Sequence, residues 1–454
     1  MSMTSGQLPA ERTVDARPPI DKPLPLWQAS PVVAVLVGIV ATAIALIRVP
    51  WVGLSTLWAE DGSQFLTGSL TNNGAFDAFT PYAGYLHFVP RLISQSAVDF
   101  IPVDSWALFM SISSCVVLGA VSALAFVLVR DLIPWFPARL ALALVPALAP
   151  LVATELIGNV ANLHWFFLWL GPLILIGRVN GRFWVWALAV VALAMTLTEA
   201  LLLVFVPLMF FASNKRARLP IFTAYLLGLA AQIIAYLSAP RPGVAPSGWS
   251  AGIRSTIIGY ITSVSTGAVT NQNVLVGTTV LKSGLAIPAI LTIVFIVITA
   301  WVVWRGSRAQ RVYACALIVA SGVLWAAGYL LNQSGFGFTS YGPTQWMEFT
   351  FRRHAVLPSL LLLSIIPLAA QIAWTRMRRV AAVSALVALA AILAMSFASP
   401  YTMRENGPEW ARNVDAAREQ CSDGVDVARI DIAPQGWATI VPCDRLILDH
   451  SREK

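Results

Sequence analysis

Apolar runs of about twenty residues recur along the whole of this 454-residue chain. A run of that length, wound as an α-helix, crosses the roughly 30 Å hydrocarbon core of a bilayer with its backbone hydrogen bonds satisfied internally. Only 11% of the residues are charged, against about 25% in soluble proteins. The sequence therefore predicts an all-α, polytopic membrane protein.

Nine of the runs predict one span each, whereas a further region, 183–212, is too long for one crossing. Basic clusters at 178–182 and 215–218 flank that region. If both clusters lie in the cytoplasm, the region crosses twice, with its break in "TLTEA" near Glu199. The prediction is thus about eleven transmembrane helices. The nine single runs are 31–50, 105–129, 138–154, 163–177, 219–239, 284–304, 311–331, 355–374 and 380–399.

Positive charge between the runs orients the chain, because short cytoplasmic loops are enriched in Lys and Arg. It predicts a disordered cytoplasmic tail over 1–30, a transmembrane domain over 31–399 and an extracytoplasmic tail over 400–454. The excess of Arg over Lys, with abundant Ala, Val and Leu, favours a bacterial plasma membrane.

The net charge of +8 follows the same topological pattern and does not predict a nucleic-acid partner. The sequence contains no P-loop, HExxH, GxSxG or zinc-type Cys/His spacing. Membrane lipids are the partners that the composition implies directly.

The first outer loop opens with "GLSTLWAEDGSQFLTGSL", in which Glu60 and Asp61 stand where the chain leaves the membrane. A surface helix over 54–68 would put Asp61 beside an apolar stripe and turn Glu60 towards the other side. Asp61 is therefore the preferred catalytic carboxylate, with Glu60 as its companion. The alternative is that Asp61 caps a helix, with Gln64 three residues on.

The same loop, 51–103, continues with "NNGAFDAFTPYAGYLHFVPRL", where Pro and Gly break regular structure. We expect a structured loop over the membrane mouth whose polar side chains contact substrate, and whose arginine contacts a phosphate. For the two tyrosines, an aromatic belt at headgroup level is an equal alternative. The residues concerned are Asp77, Tyr82, Tyr85, His87 and Arg91.

A second outer loop, "ATELIGNVANLHWFFLW", adds Asn159, Asn162 and His164 to the predicted substrate contacts. The two asparagines would align on a helix, where they could bind a sugar hydroxyl or cap helices. Glu199 joins this group because an intramembrane carboxylate is a functional-site hypothesis by default. A salt bridge from Glu199 to a neighbouring Arg is the alternative.

The late loop ends in "FTFRRHAVLP", which puts Arg352, Arg353 and His354 on the predicted outer side. This position opposes the positive-inside trend, and paired arginines bind phosphate bidentately. The pattern predicts a phosphate site. Pairing with anionic headgroups or with Glu348 is the alternative.

Two cysteines lie in the C-terminal tail, Cys421 and Cys443. A disulfide between them requires an oxidising compartment, which the eleven-span topology supplies. The tail also contains a short helical pattern followed by alternating, strand-like residues. We expect a disulfide-stapled cap on the outer face.

The layout resembles the GT-C superfamily of integral-membrane glycosyltransferases, which carry an acidic motif in the first outer loop beside the first span. Here that motif is "WAEDG". Members of the family show two Asp residues, or Asp then Glu, whereas this chain has Glu then Asp. The resemblance covers the architecture of most of the chain.

The resemblance implies a GT-C-like fold and a sugar donor carried on a polyprenyl phosphate. It further implies inverting displacement onto a glycan, lipid or protein acceptor, with Asp61 as the general base. Arg352, Arg353, His354 and Arg91 would bind the donor phosphate. Glu60 would orient the acceptor or help Asp61 hold Mg²⁺ or Mn²⁺, the one cofactor left open.

Two other functional classes remain as alternatives. A transporter or flippase of a lipid-linked sugar would share the outer-leaflet lipid and the basic loop, but it should carry polar residues at mid-span. The polar residues of this chain gather in the outer loops, which favours the enzyme. A structural scaffold without catalytic activity is the second of these alternatives.

Overall fold

A computed structural model of the chain describes residues 31–71, 74–240, 249–332 and 337–452. The predicted cytoplasmic tail over 1–30 lies outside the described residues. The described part is mostly helical, with one two-stranded sheet near its C-terminal end. The predicted helical class is therefore confirmed.

Seven described helices are long and apolar enough to cross a membrane, and four shorter apolar helices accompany them. The long ones are Pro31–Arg48, Val103–Leu128, Phe136–Glu155, Leu219–Ser238, Ala286–Arg305, Arg308–Leu330 and Arg353–Thr375. The shorter ones are Leu163–Ile176, Arg182–Thr198, Ala200–Phe210 and Arg379–Met395. Every predicted span coincides with one of these helices, while the count of eleven crossings stays a prediction.

The region 183–212 breaks where the sequence indicated. The helix Arg182–Thr198 ends just before Glu199, and a 3₁₀ helix follows over Ala200–Phe210. The Glu199 carboxylate accepts the backbone N–H of Leu201 at 2.7 Å. This capping bond satisfies a helix-end donor, which explains why the chain can break at a carboxylate there.

Shorter elements connect the apolar helices, and three of the long apolar helices are composed of more than one element. The following elements are the connecting segments together with the parts that make up the long helices. On the N-terminal side they are Trp51–Leu54, the π-helix Asp61–Leu66, Thr67–Thr71, Gly74–Phe79, Phe88–Phe100, Val103–Ser105, Trp106–Leu128, Phe136–Leu148 and Val152–Glu155. Later they are Trp249–Gly259, the π-helix Tyr260–Ser265, Asn273–Ser283, Arg308–Asn332, Phe338–Ser340, Pro343–Met347, Arg353–Ala355, Val356–Leu363 and Ile365–Thr375.

The continuous surface helix expected over 54–68 does not form. Ala59 adopts a left-handed backbone, with φ of 36°. Its N–H pairs with the carbonyl of Ala433, far along the chain. This pairing with the C-terminal tail replaces the local i to i−4 bond, so the first loop starts its π-helix only at Asp61.

The helices differ in how deeply they are buried. The apolar window of Arg353–Thr375 is 94% buried inside the protein, whereas those of Pro31–Arg48 and Ala286–Arg305 are 28% and 22% buried. The first span packs on Trp106–Leu128 through small residues: a Cβ on Gly38 would lie 3.1 Å from the Gly119 carbonyl. Such close backbone approach is typical of helix contacts in membranes.

The C-terminal tail folds into helix Trp410–Ser422, strands β1 (Val427–Ile432) and β2 (Trp437–Pro442), and helix Cys443–Arg452. The strands pair antiparallel, and the predicted disulfide Cys421–Cys443 is present.

The tail packs directly on the first loop. The N–H of Ala433 donates to the Leu57 carbonyl at 3.1 Å, and the N–H of Ile440 donates to Thr67 Oγ1 at 3.2 Å. The tail therefore packs against the part of the first loop that carries Glu60 and Asp61.

Candidate functional site

Three charged side chains from three separate segments meet near the start of the most buried span. The Arg353 guanidinium lies 3.5 Å from the Glu155 carboxylate and 3.9 Å from that of Glu60. The side chain of Arg353 is 40% exposed, and those of Glu60 and Glu155 are 17% and 10% exposed. We call Glu60, Glu155 and Arg353 the open cluster, because its cation is accessible and its contacts are long for ion pairs.

The neighbouring carboxylates of the first loop have different surroundings. Asp61 is 2% exposed, and its two oxygens accept the backbone N–H groups of Val160 at 3.2 Å and Ala161 at 2.8 Å. Burial raises the pKa of Asp61 to about 7, against the opposing effects of the Ala161 N–H and of Arg404. The capping role weighed for Asp61 is not observed, because its carboxylate anchors the second loop instead.

Arg404, which the sequence did not single out, is buried beside Asp61. Its guanidinium donates to the carbonyls of Ile157 at 2.8 Å and Gly158 at 2.7 Å. Desolvation by burial lowers its pKa. In the sequence Arg404 looks like any arginine that follows a span, so only long-range contacts reveal its position.

A second polar pair is linked to the open cluster through His87 and Tyr85. His164 Nδ1 contacts the carboxylate of Glu199, so the salt-bridge partner considered for Glu199 is a histidine rather than an arginine. The Tyr85 and His87 rings are in contact at a tilt of 41°, with centroids 4.1 Å apart, and Tyr85 lies near enough to Arg353 to interact with its charge. Burial, then the nearby charge of His164, holds the pKa of His87 well below its usual value.

Asp77 and Arg91 turn towards each other inside the first loop. Arg91 Nη1 lies 2.7 Å from Asp77 Oδ2, and the two side chains are 4% and 1% exposed. The Arg91 guanidinium also lies 5.4 Å from the ring centre of Phe65. In this position Arg91 faces a carboxylate and not the open surface where a donor phosphate would approach.

The two asparagines of the second loop make bonds within that loop. The N–H of Asn162 donates to Asn159 Oδ1 at 3.2 Å. Asn162 Nδ2 donates to the Glu155 carbonyl at 3.3 Å, and its Oδ1 accepts the Trp165 indole N–H at 3.2 Å. Of the two roles left open, local structure is the one that these bonds support.

The remaining predicted residues surround these groups. Tyr82 and Tyr85 exchange backbone hydrogen bonds at 2.9 and 3.2 Å and close a tight turn. His354 packs edge-on against Trp165, with ring centroids 6.3 Å apart. Arg352 is exposed and lines a narrow cleft together with Arg353 and Glu155.

The cleft beside the open cluster holds only about 10 Å³, so a substrate requires local opening. A larger cavity of about 350 Å³ lies between helices Trp249–Gly259 and Asn273–Ser283 and the segment around Trp346. None of the predicted site residues lines it. Tyr341, which lines this cavity, lies close enough to Arg352 to interact with its charge. The cavity therefore adjoins the end of the cleft that carries Arg352.

The described residues contain no group of three or more His, Cys, Asp or Glu side chains arranged to hold a metal ion. The carboxylate of Glu60 faces Arg353, whereas both oxygens of Asp61 accept backbone N–H groups. The two do not form a common ligand set for Mg²⁺ or Mn²⁺, and we derive no step through a metal.

Comparison of the chain with protein-family models, with curated protein sequences and with solved structures found no match. The function must therefore be inferred from the residues themselves. One region brings together Glu60, Glu155, Arg352, Arg353 and Tyr85. His87 links this region to the pair of His164 and Glu199.

Proposed function

We propose that this protein is a membrane glycosyltransferase that moves a sugar from a polyprenyl-phosphate donor to a glycan, lipid or protein acceptor on the outer face of the plasma membrane. The observation that carries the proposal is the open cluster, in which one accessible arginine lies near two carboxylates at the start of a buried span. A base and a phosphate-binding cation, side by side at a membrane border, suit this chemistry.

In the proposed reaction the acceptor hydroxyl oxygen attacks the anomeric carbon of the donor sugar. The bond between that carbon and the phosphate oxygen breaks, and the lipid phosphate leaves with the electron pair. A carboxylate takes the acceptor proton. Because this is one displacement, the anomeric configuration is inverted.

Glu60 is better placed as the base than Asp61. The Glu60 carboxylate is partly exposed and lies beside Arg353, whereas Asp61 is buried and already accepts two N–H bonds. A general base must reach the proton that it removes. We therefore assign the base role to Glu60 and an anchoring role to Asp61, which revises the preference drawn from the sequence.

Arg353 and Arg352 supply positive charge for the departing phosphate. The Arg353 contacts to Glu155 and Glu60 are long, so exchanging them for a phosphate oxygen costs little. A guanidinium binds phosphate with two parallel N–H bonds, which an ammonium cannot do. Release of the lipid phosphate lets Arg353 return to the carboxylates.

The test is transfer of radiolabelled sugar from lipid-phosphate donors in membranes that contain the wild-type protein or a variant. Glu60→Gln should lower turnover roughly 10²-fold or more with donor binding retained. Arg353→Ala should weaken donor binding, and Arg353→Lys should restore only part of it. Glu419→Gln, an exposed change of the same type in the tail, is the matched control.

Full transfer by Glu60→Gln would remove Glu60 as the base. Movement of the lipid-linked sugar across the membrane without any transfer would instead support the transporter alternative. The same membranes can be tested for both outcomes.

The proposed orientation has its own test, which does not depend on activity. Asn406→Cys places a thiol in the tail, which the charge pattern puts outside. An impermeant thiol reagent should label it in intact cells. Labelling only after lysis would reverse the orientation and exclude an outer-face reaction.

A further inference from the structure

The turn at 157–161 is held from both of its sides by polar side chains. Arg404 donates to the carbonyls of Ile157 and Gly158 at 2.8 and 2.7 Å. Asp61 accepts the N–H groups of Val160 and Ala161 at 3.2 and 2.8 Å. A guanidinium on the carbonyl side and a carboxyl group on the N–H side together fix the position and direction of this turn.

The same guanidinium joins three parts of the molecule. Besides the turn, it donates to the Thr56 carbonyl at 3.3 Å and to Ser111 Oγ at 3.2 Å. Thr56 belongs to the first loop and Ser111 to the helix Trp106–Leu128. Arg404 is 5% exposed, so its charge is compensated within the protein and hardly by water.

The backbone conformation of the turn allows the Arg404 guanidinium to approach closely. Gly158 has a φ of 71°, a conformation that side chains other than glycine rarely adopt. A Cβ on Gly158 would lie 2.7 Å from Arg404 Nη2. The glycine is therefore required both for the backbone conformation and for the approach of the guanidinium.

The chain segment around Arg404 is hydrogen-bonded to the first and second loops. The N–H of Met403 donates to the Thr154 carbonyl at 2.9 Å, one residue before Glu155. The N–H of Trp410 donates to the Ser55 carbonyl at 2.8 Å. The segment 403–410 is thus bonded to both loops that carry the carboxylates of the open cluster.

We propose that Arg404 is a positioning residue of the proposed active site, acting through Asp61 and the 157–161 turn on Glu60 and Glu155. Glu60 is the chain neighbour of Asp61, and Glu155 lies two residues before the turn. We call the contacts of Arg404 and Asp61 with the turn the clamp. Loss of the clamp would let the Glu60 and Glu155 carboxylates separate from Arg353. The activity part of this inference depends on the proposed function, whereas the positional part does not.

The positional test is hydrogen–deuterium exchange of the full-length protein in detergent. Arg404→Gln should raise exchange of the Val160 and Ala161 amides at least tenfold, because the turn loses its carbonyl-side anchor. Arg404→Lys should give a smaller increase, since one ammonium cannot reach all four acceptors. The control is Arg412→Gln, on a tail side chain that is 83% exposed and paired only with Glu409 in the part of the chain described.

The activity test compares kcat and the donor KM of the same variants. We expect Arg404→Lys to lower kcat about tenfold with the donor KM unchanged, since the carboxylates are misplaced while the phosphate-binding arginines remain. A residue that served only overall folding would reduce the amount of active protein and leave kcat per folded molecule intact.

The possible outcomes separate the two proposals. Unchanged exchange at 160–161 in both Arg404 variants overturns the positioning role, even if the protein transfers sugar. Raised local exchange with no transferase activity in the wild type supports the clamp and removes the proposed function. If Arg404→Lys and Arg404→Gln both lose their helical signal, Arg404 is a folding residue and the positioning role is overturned.

Discussion

Two groups of arginine and carboxylate in this molecule have the same chemistry and opposite settings. In the first loop, Arg91 and Asp77, which we call the closed pair, lie 2.7 Å apart with almost no exposure. In the open cluster, Arg353 lies 3.5 and 3.9 Å from its carboxylates and is 40% exposed. Close contact and burial mark the first pair as part of the fold, whereas distance and exposure leave the second available to a ligand.

The difference comes from what surrounds each arginine. A Cβ on Gly68 would lie 3.0 Å from both Arg91 Nη1 and Asp77 Oδ1, so the missing side chain gives the closed pair its space. The open cluster has two carboxylates for one cation, and the exposed Arg352 beside it balances the charge. A buried, close ion pair is held by the surrounding protein, whereas a cluster that faces outward can exchange partners.

The largest expected effect comes from breaking the closed pair. Arg91→Leu should lower the free energy of unfolding by about 3–5 kcal/mol, because it leaves the Asp77 carboxylate buried without its cation. Thermal unfolding in detergent measures this. The double variant with Arg91→Leu and Asp77→Leu should regain most of the loss. If the double variant were no more stable than the single one, the buried pair would not explain the effect.

A pH titration sharpens the comparison, because groups beside the two regions act with opposite signs. Burial raises the pKa of Asp61, next to Glu60, from 3.8 to about 7. Its stabilising contribution is therefore complete below about pH 4 and is lost as the pH rises through 7. Between about pH 4 and 7, each unit of pH increase should lower the contribution of Asp61 to the free energy of unfolding by roughly 1.4 kcal/mol.

His87, near Arg91, has a pKa lowered well below 6.5, so its contribution is present above that pH and is lost on acidification. Between pH 4 and 6.5 the two contributions therefore change in opposite directions and should largely cancel in the wild-type protein. Thermal unfolding midpoints of Asp61→Asn should rise from pH 4 to 6.5, because only the His87 contribution remains, and those of His87→Phe should fall from pH 4 to 7. A variant whose midpoints followed the wild-type profile would exclude its residue as the cause.

A smaller loss of stability is expected when the space beside the closed pair is filled. Gly68→Ala should destabilise the protein by about 1–3 kcal/mol, because the new methyl group crowds both charged side chains. Gly322→Ala is the matched control, since a Cβ there meets no atom within 4 Å among the described residues. In a helix that control should be neutral or stabilising by up to about 1 kcal/mol. Equal effects of the two changes would contradict the crowding argument.

The smallest effect on stability is expected in the open cluster. Arg353→Gln should change the free energy of unfolding by less than about 1 kcal/mol, because long, partly exposed ion pairs contribute little. Differential scanning fluorimetry can compare it with Arg91→Gln. A loss as large as that of Arg91→Gln would mean that the cluster is a structural pair and would weaken its proposed role.

The sequence was sufficient for features that depend on local composition. Hydropathy located the apolar helices, because a span must be apolar along its whole length. Glu199 marked the break in 183–212, since a carboxylate interrupts such a run. The pair Cys421 and Cys443 was predictable because the tail contains no other cysteine.

Features that depend on distant partners could not be predicted. The surroundings of Glu60 and Asp61 are set by Arg353 and by amides 99 and 100 residues away. The same holds for Arg404, whose acceptors are 246 to 348 residues distant. The helical periodicity assumed for the first loop failed because the tail pairs with its backbone at Ala59.

The contact of the tail with the first loop has a consequence for the order of assembly. Thr67 meets Ile440 across 373 residues, and at roughly 5–20 residues per second the ribosome needs about 20–75 s to make that stretch. During that interval the helices that follow can insert, while the loop around Glu60 and Asp61 lacks its later-made partner strand. The region of the proposed chemistry therefore completes its contacts only after the tail has been made. Pulse-labelled chains should keep this loop sensitive to protease until residues beyond 433 have emerged.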